Sequence, residues 1–393
     1  MRAFTTVAII SEYNPFHLGH AYLFAKAREE YPNCAIVSVM SGNTVQRGDF
    51  AVYDRYTRAE AAIACGCELA LEMPYPYSSS ASEQFARAGV RIAMEAGADV
   101  IMFGSGSEDP NSLFDAVKIL KTEEFRSRLV TLSKENPDRS FLSLREELYR
   151  HIAGQELPRD GNSSLGIEYI IAAENIGKEI GKTVKCHPIK RMGSYTATAC
   201  REELRSQREN TSLPTDIPKE AATVFNGKKI SGGIDAIPAL ILGTLRFTAF
   251  NGNFSASKNG IKEAILRAAE NAKDMEEFYS ALPTATYTRA RLRRTLMDML
   301  LLPDQVDTDA LKNTPPLYTV LLGANERGFQ ILSEMRKTSS LTVITKPSDT
   351  AKLGDEGKKA YEIAERVEKL YSLTFTEAVS PSELIPRFKV KRQ

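Results

Sequence analysis

Over roughly the first two hundred residues, short apolar, β-branched runs alternate with amphipathic stretches, and this alternation restricts the fold more than any other feature. Thr6–Ile10, Ala35–Met40, Glu68–Met73 and Val100–Phe103 read as strands, and Leu18–Glu30, Arg55–Cys65 and Ser82–Ala96 between them as helices. Strands separated by helices of this length need crossover connections, which predict a parallel sheet with helices on both faces. Between about residues 110 and 150 the chain is polar and helical, as an insertion would be. The alternation then resumes with a helix at Leu165–Ile180, a strand at Thr183–Ile189 and a helix starting near Thr198.

Beyond about residue 215 the character changes. Helical periodicity dominates at Ile237–Phe247, Ile261–Lys273 and Tyr287–Leu302, and a small strand–helix–strand piece follows at Leu317–Leu322, Ala324–Arg336 and Leu341–Thr345. A length of 393 residues exceeds what one compact core usually holds. The expected organisation is an α/β domain over residues 1–215 and a mostly α-helical C-terminal domain over 216–393.

A formal net charge of +1 argues against a uniformly basic surface, although a local basic face is compatible with it. No apolar run reaches the 18 or so residues of a spanning helix, and the N-terminus reads as a first strand without a cleavable leader, so a cytoplasmic location without membrane contact is expected. The five cysteines (Cys34, Cys65, Cys67, Cys186 and Cys200) are scattered, and the Cys65-x-Cys67 pair has no second pair or nearby histidine to complete a zinc site. They read as reduced thiols, and no Asp/Glu/His cluster has metal-ligand spacing.

Chemistry concentrates behind the first strand, in Glu12-Tyr13-Asn14-Pro15-Phe16-His17-Leu18-Gly19-His20. An apolar strand enters a turn, and His17-x-Gly19-His20 opens a helix. A helix start offers unpaired N–H groups and partial positive charge to a phosphate, and Gly19 removes a side chain where a nucleotide would approach. Two of the four histidines of the chain lie here, three residues apart and on one side of the first turn. Such a pair can donate hydrogen bonds to charge developing during transfer at an α-phosphorus. His151 and His187 read as surface or structural residues.

EYNPFHLGH resembles the HxGH signature of the nucleotidyltransferase superfamily. Together with Met40-Ser41-Gly42-Asn43-Thr44-Val45-Gln46-Arg47-Gly48, it resembles the bacterial tRNA(Met) cytidine acetate ligase family. The likeness continues through Leu71–Pro74, Phe103–Ser105, Leu165–Tyr169 and Ile189–Arg191, and more weakly beyond. It implies a Rossmann-like nucleotidyltransferase sheet and His17 and His20 as catalytic residues. It further implies nucleotide contacts along Val7, Ala8, Ile9, Ile10, Ser11, Glu12, Tyr13, Asn14, Pro15, Phe16, His17, Leu18, Gly19 and His20, and at Gly104, Arg191 and Asn162. Where the family reads Pro-Asn-Asn, this chain has Gly161-Asn162-Ser163, so Ser163 is the alternative to Asn162.

Further residues gather positive charge and caps. Lys190 and Arg191 end a strand, and Tyr195–Arg201 resembles the ISSTxxR phrase, with Thr196 or Thr198 capping a helix and Arg201 facing anionic oxygens. Arg47 is a further candidate for a phosphate or carboxylate. The implied activity is ATP-dependent activation of acetate to acetyl-adenylate, then acetylation of N4 of the wobble cytidine of elongator tRNA(Met). Any Mg2+ would arrive with ATP, held mainly by phosphates and water. Arg289, Arg291, Arg293 and Arg294 lie beside an apolar helical stripe and are candidates to face RNA phosphates. The competing readings are a small-molecule adenylyltransferase using the same motif and a non-catalytic, nucleotide-sensing RNA-binding protein.

Overall fold

The computed structural model describes residues 4–136, 139–191, 197–206, 213–251, 260–284, 286–302 and 306–384. The chain begins with β1 (Thr6–Ser11), α1 (Leu18–Glu30), β2 (Ala35–Ser41), the short strands β3 (Thr44–Val45) and β4 (Asp49–Phe50), α2 (Arg55–Ala64), β5 (Leu69–Met73), α3 (Ser82–Glu95) and β6 (Val100–Ser105). The expected insertion is α4 (Ser112–Leu120), α5 (Glu123–Glu135) and α6 (Phe141–Ala153), after which come α7 (Gly161–Ile180), β7 (Lys185–Lys190) and α8 (Ala197–Ser206).

The seven-stranded sheet has the order β7-β6-β1-β2-β5, continued by two later strands. Its first five strands are mutually parallel. From β1 the chain moves outward to β2 and β5, then returns to place β6 on the other side of β1. That reversal puts α1 and α2 on one face and α3 and α7 on the other, each burying its apolar stripe on the strands. The alternation within β1 records this, since Val7 and Ile9 belong to one core and Ala8 and Ile10 to the other. Every residue of β2 and of β5 is buried, which is why these segments read as continuous apolar runs. The reversal also opens a crevice between the carboxyl ends of β1 and β6, where open α/β sheets take their ligands.

The remaining chain forms α9 (Lys219–Phe225), α10 (Pro238–Asn251), α11 (Ile261–Asn271), α12 (Met275–Ser280), α13 (Arg289–Leu301), α14 (Thr308–Asn313), β8 (Tyr318–Ala324), α15 (Glu326–Thr338), β9 (Thr342–Ile344) and α16 (Asp355–Tyr371). Helices α10 to α13 and α16 share a third core with Phe50 and Tyr75. The strand–helix–strand piece does not stand apart: β8 joins the large sheet antiparallel to β5, and β9 pairs parallel to β8. The sheet therefore draws on residues from both sides of position 215. Helix α16 was not expected from the sequence. Its buried stripe of Ala360, Ile363, Ala364, Val367 and Tyr371 contains two alanines, a thin apolar signal between long charged runs. None of the five cysteines is in a disulfide. Among the described residues no helix is long and apolar enough to cross a membrane.

Candidate functional site

The turn after β1 is fixed from below. Tyr13 and Phe16 are fully buried, with the Tyr13 hydroxyl 2.7 Å from Ser38 Oγ, and Asn14 Oδ1 accepts the Val52 N–H at 2.8 Å. Val7, Ala8, Ile9 and Ile10 are buried core side chains, and Pro15 is also buried. These residues offer a ligand the end of a strand and a shaped floor, with their side chains committed to packing. Leu18 is half-buried above them.

His17 is the N-cap of α1 and His20 is its third residue, and the two close a reciprocal cap. His17 Nδ1 accepts the Gly19 N–H at 3.0 Å, while His20 Nδ1 accepts the His17 N–H at 3.2 Å. An acceptor nitrogen carries no proton, so in the neutral state each ring bears its proton on Nε2. The rings lie 3.9 Å apart, and His20 is braced by Tyr13 edge-on at 4.9 Å. His20 Nε2 also meets Ser11 Oγ at 3.2 Å, where the N–H donates. Burial, reinforced by the Arg191 and Arg201 guanidinium groups, pushes His17 down to about 4. Burial, then His17 and Arg191, lowers His20 as well. Both rings are neutral donors at physiological pH.

The cap corrects one expectation. The first N–H groups of α1 are not open to a phosphate: Leu18 N–H donates to the Asp216 carbonyl at 2.8 Å, Gly19 N–H to His17 Nδ1, and His20 N–H to the His17 carbonyl at 2.8 Å. The protein itself satisfies these donors, so an anion here meets imidazole and guanidinium N–H groups together with the helix dipole. Gly19 has a matching reason. A β-carbon there would stand 2.8 Å from Cε1 of His17, so the close approach is that of the neighbouring imidazole.

Across the crevice, β6, the start of α7 and the residue after β7 bring three further candidates together. Arg191 follows β7, and its main-chain N–H donates to the Ser105 carbonyl at 2.9 Å. A β-carbon on Gly104 would lie 3.0 Å from Arg191 Cγ, so the missing side chain lets the arginine stem lie on the strand. With its amide oriented to satisfy the hydrogen bonds, Asn162 Oδ1 accepts from Arg191 Nη1 at 2.6 Å and Nε at 3.1 Å. Ser163 is fully buried, its hydroxyl 2.9 Å from Ser105 Oγ and accepting the Gly106 N–H at 3.1 Å. Asp160 caps α7 through the N–H groups of Asn162 and Ser163. Of the two alternatives, Asn162 faces Arg191 and Ser163 is committed to the fold.

Arg201 on α8 completes the cationic side. Its Nη1 donates to the Asn14 carbonyl at 2.9 Å and its Nη2 to Thr198 Oγ1 at 3.0 Å, binding α8 to the HxGH turn. Thr196 lies outside the described residues. Lys190 is exposed and its ammonium is paired with Glu108. Arg47 is exposed in the β3–β4 turn, close enough to disfavour the charge on Arg201. That turn is tied back by Glu12, whose Oε1 accepts the Gln46 N–H at 2.8 Å.

Two features escaped sequence reasoning. Arg58 is fully buried, and its guanidinium donates to the carbonyls of Tyr53, Glu12 and Gly42, joining the β1 turn to the loop after β2. Arg55 lies in a second buried cluster, 2.9 Å from both carboxylate oxygens of Glu72 and 3.3 Å from Glu368 on α16. Asn43 closes this cluster by donating to Glu368 at 2.9 Å and accepting the Arg55 N–H at 2.7 Å. An arginine inside a helical pattern looks like a surface residue unless its partners are known. The basic stripe of α13 also needs correction. Arg293 is paired with Asp235 and Arg294 donates to the Gln46 carbonyl at 3.2 Å, because Leu292, Leu296 and Met297 turn that flank inward. Arg289 and Arg291 remain exposed, lying over the rings of Tyr279 and Tyr287. His151 is exposed and His187 bonds Tyr31 at 2.8 Å, both outside the site.

Residues 4–384 match the sequence model of the HIGH Nucleotidyl Transferase family. A tRNA(Met) cytidine acetate ligase of Clostridium acetobutylicum is 29% identical over 90% of this chain and 94% of its own. One from Thermoanaerobacter sp. is 30% identical over 87% of this chain and 88% of its own. The crystal structure of Thermotoga maritima TmcAL bound with alpha-thio ATP superposes with a TM-score of 0.84 at 25% identity, covering 95% of each chain.

Proposed function

Since the chain belongs to the HIGH nucleotidyl transferase family, on its tRNA(Met) cytidine acetate ligase branch, we propose that it activates acetate with ATP and acetylates the wobble cytidine of elongator tRNA(Met). The observation that carries this reading is the pair of neutral imidazoles, each with its proton on Nε2, flanked by Arg191 and Arg201. A site that moves protons would want imidazoles titrating near neutrality. One that stabilises growing negative charge wants donors oriented in advance, and the cap orients both rings, with the His20 N–H passing from Ser11 Oγ to the phosphate.

In the first step an acetate oxygen attacks the α-phosphorus, the bond to the β-phosphate bridging oxygen breaks, and pyrophosphate leaves. His17 and His20 donate to the α-phosphate oxygens. Arg191, oriented by Asn162 over Gly104, and Arg201 neutralise the triphosphate, with Thr198 beside Arg201. In the second step the cytidine N4 attacks the acetyl carbon, loses a proton, and AMP departs. The cytidine base must be unstacked for this, which favours an anticodon loop as substrate.

Residues 1–215 supply the catalytic half in this reading, and helices within 216–393 carry the tRNA, with Arg289 and Arg291 as exposed cations. Among the described residues no group of three or more His, Cys, Asp or Glu side chains is placed to hold a metal ion. Mg2+, if used, comes with the nucleotide, and the enzyme works beside the tRNA pool in the cytoplasm. The test is exchange of labelled pyrophosphate into ATP. Exchange that depends on acetate supports the reading, and acetate-independent or absent exchange with active protein refutes the activation step.

A further inference from the structure

Asp49, the first residue of β4, is 9% exposed and is met by groups from three other parts of the chain. Its Oδ1 accepts the N–H of Ile234 at 2.9 Å, besides that of Phe50 at 2.7 Å. Its Oδ2 accepts from Arg205 Nη1 at 3.1 Å and lies 3.8 Å from Arg293 Nη1 of α13. Arg205 spends its other donors nearby, Nη2 on the Phe50 carbonyl at 3.0 Å and Nε on the Ser231 carbonyl at 3.3 Å. The carboxylate thus gathers the β3–β4 hairpin, the segment before α10, α13 and α8.

Helix α8 has ten residues, too few to hold its own orientation in water. Two arginines one turn apart tie it down. Arg201 reaches the HxGH turn, and Arg205 reaches Asp49. A guanidinium facing a mostly buried carboxylate holds a defined geometry better than an exposed pair does.

We propose that Asp49, acting through Arg205, is a positioning residue that sets α8 so that Arg201 faces the triphosphate. This rests on the reading of Arg201 given above. Asp49 touches no substrate, so its effect belongs in ATP affinity, in series with Arg201. The same carboxylate ties α13 to α8, so the helical half and the nucleotide site share one anchor.

The experiment is calorimetric titration of the full-length protein with a non-hydrolysable ATP analogue. The variants are Asp49→Asn, Arg201→Ala, the double variant, Arg205→Lys and Arg205→Met, each with its thermal midpoint. Asp49→Asn keeps the shape and one acceptor, and should weaken the analogue by roughly tenfold. In the Arg201→Ala background it should weaken it no further, and Arg205→Lys should retain more affinity than Arg205→Met. Wild-type affinity in Asp49→Asn, or an equal loss in both backgrounds, overturns the proposal while leaving Arg201 as a nucleotide contact. Wild-type affinity in Arg201→Ala overturns the reading of Arg201 and the proposal with it.

Discussion

Gly104 stands where a β-carbon would lie 3.0 Å from Cγ of Arg191, so the strand end and the arginine stem occupy adjoining space that one methyl group would contest. Gly104→Ala should displace Arg191 and loosen its contact with Asn162. Steady-state kinetics should give a KM for ATP raised by roughly tenfold, with the KM for tRNA little changed. Asn162→Ala should move the same parameter in the same direction. A rise confined to the KM for tRNA would place this cluster elsewhere in the reaction.

The histidine pair carries a pH prediction. His17 is pushed down to about 4 from an ordinary 6.5, so between those values the unfolded chain binds a proton that the folded protein does not. Stability therefore falls as pH drops through that window and is insensitive to His17 above it. Imidazole NMR signals followed against pH should show His17 of the nucleotide-free protein still neutral at about pH 5.5. Titration near 6.5 would mean that the cap does not exclude water.

Arg58 tests the scaffold under the site. Arg58→Ala strands the carbonyls of Tyr53, Glu12 and Gly42 and opens a cavity, and urea unfolding should show a loss of roughly 3 kcal/mol. Arg58→Lys should recover only part, since an ammonium cannot span three carbonyls arranged for a guanidinium fork. Full recovery by lysine would reduce Arg58 to a buried charge without geometric role.

These residues also mark how far the sequence could be read. The places of His17, His20 and Arg201 at a strand or helix end follow from short local phrases, where geometry is set by neighbours in the chain, whereas Gly104 and Asn162 were named through the family resemblance. Arg58 was not legible, because its partners lie as far as 46 residues away. The strands were visible as apolar runs, but a run carries no information about its neighbour. The antiparallel seating of β8 beside β5 was therefore out of reach, as was the inward turn of Arg293 and Arg294. The offer of open N–H groups at α1 was misread for a related reason: Leu18 finds its acceptor on Asp216, far along the chain.

Glu368 provides a second pH signature. Burial raises its carboxyl from 4.5 to about 7, with Arg55 opposing and Glu72 adding to the rise. Through that interval the folded state retains a proton the unfolded chain has released, so stability falls as pH rises and the full penalty is present above about 7. Between about pH 5 and pH 8, wild type should lose more of its thermal midpoint than Glu368→Gln does. Parallel curves for the two proteins would show that Glu368 is charged throughout.

The most direct test of the central claim is transfer of labelled acetate to an elongator tRNA(Met) transcript in the presence of ATP, comparing wild type with His20→Ala. Wild type should place the label on N4 of the wobble cytidine, and His20→Ala should lower the rate by roughly a hundredfold or more while remaining folded. Unlabelled tRNA from active wild type, or equal labelling by the variant, would contradict the assignment of this site.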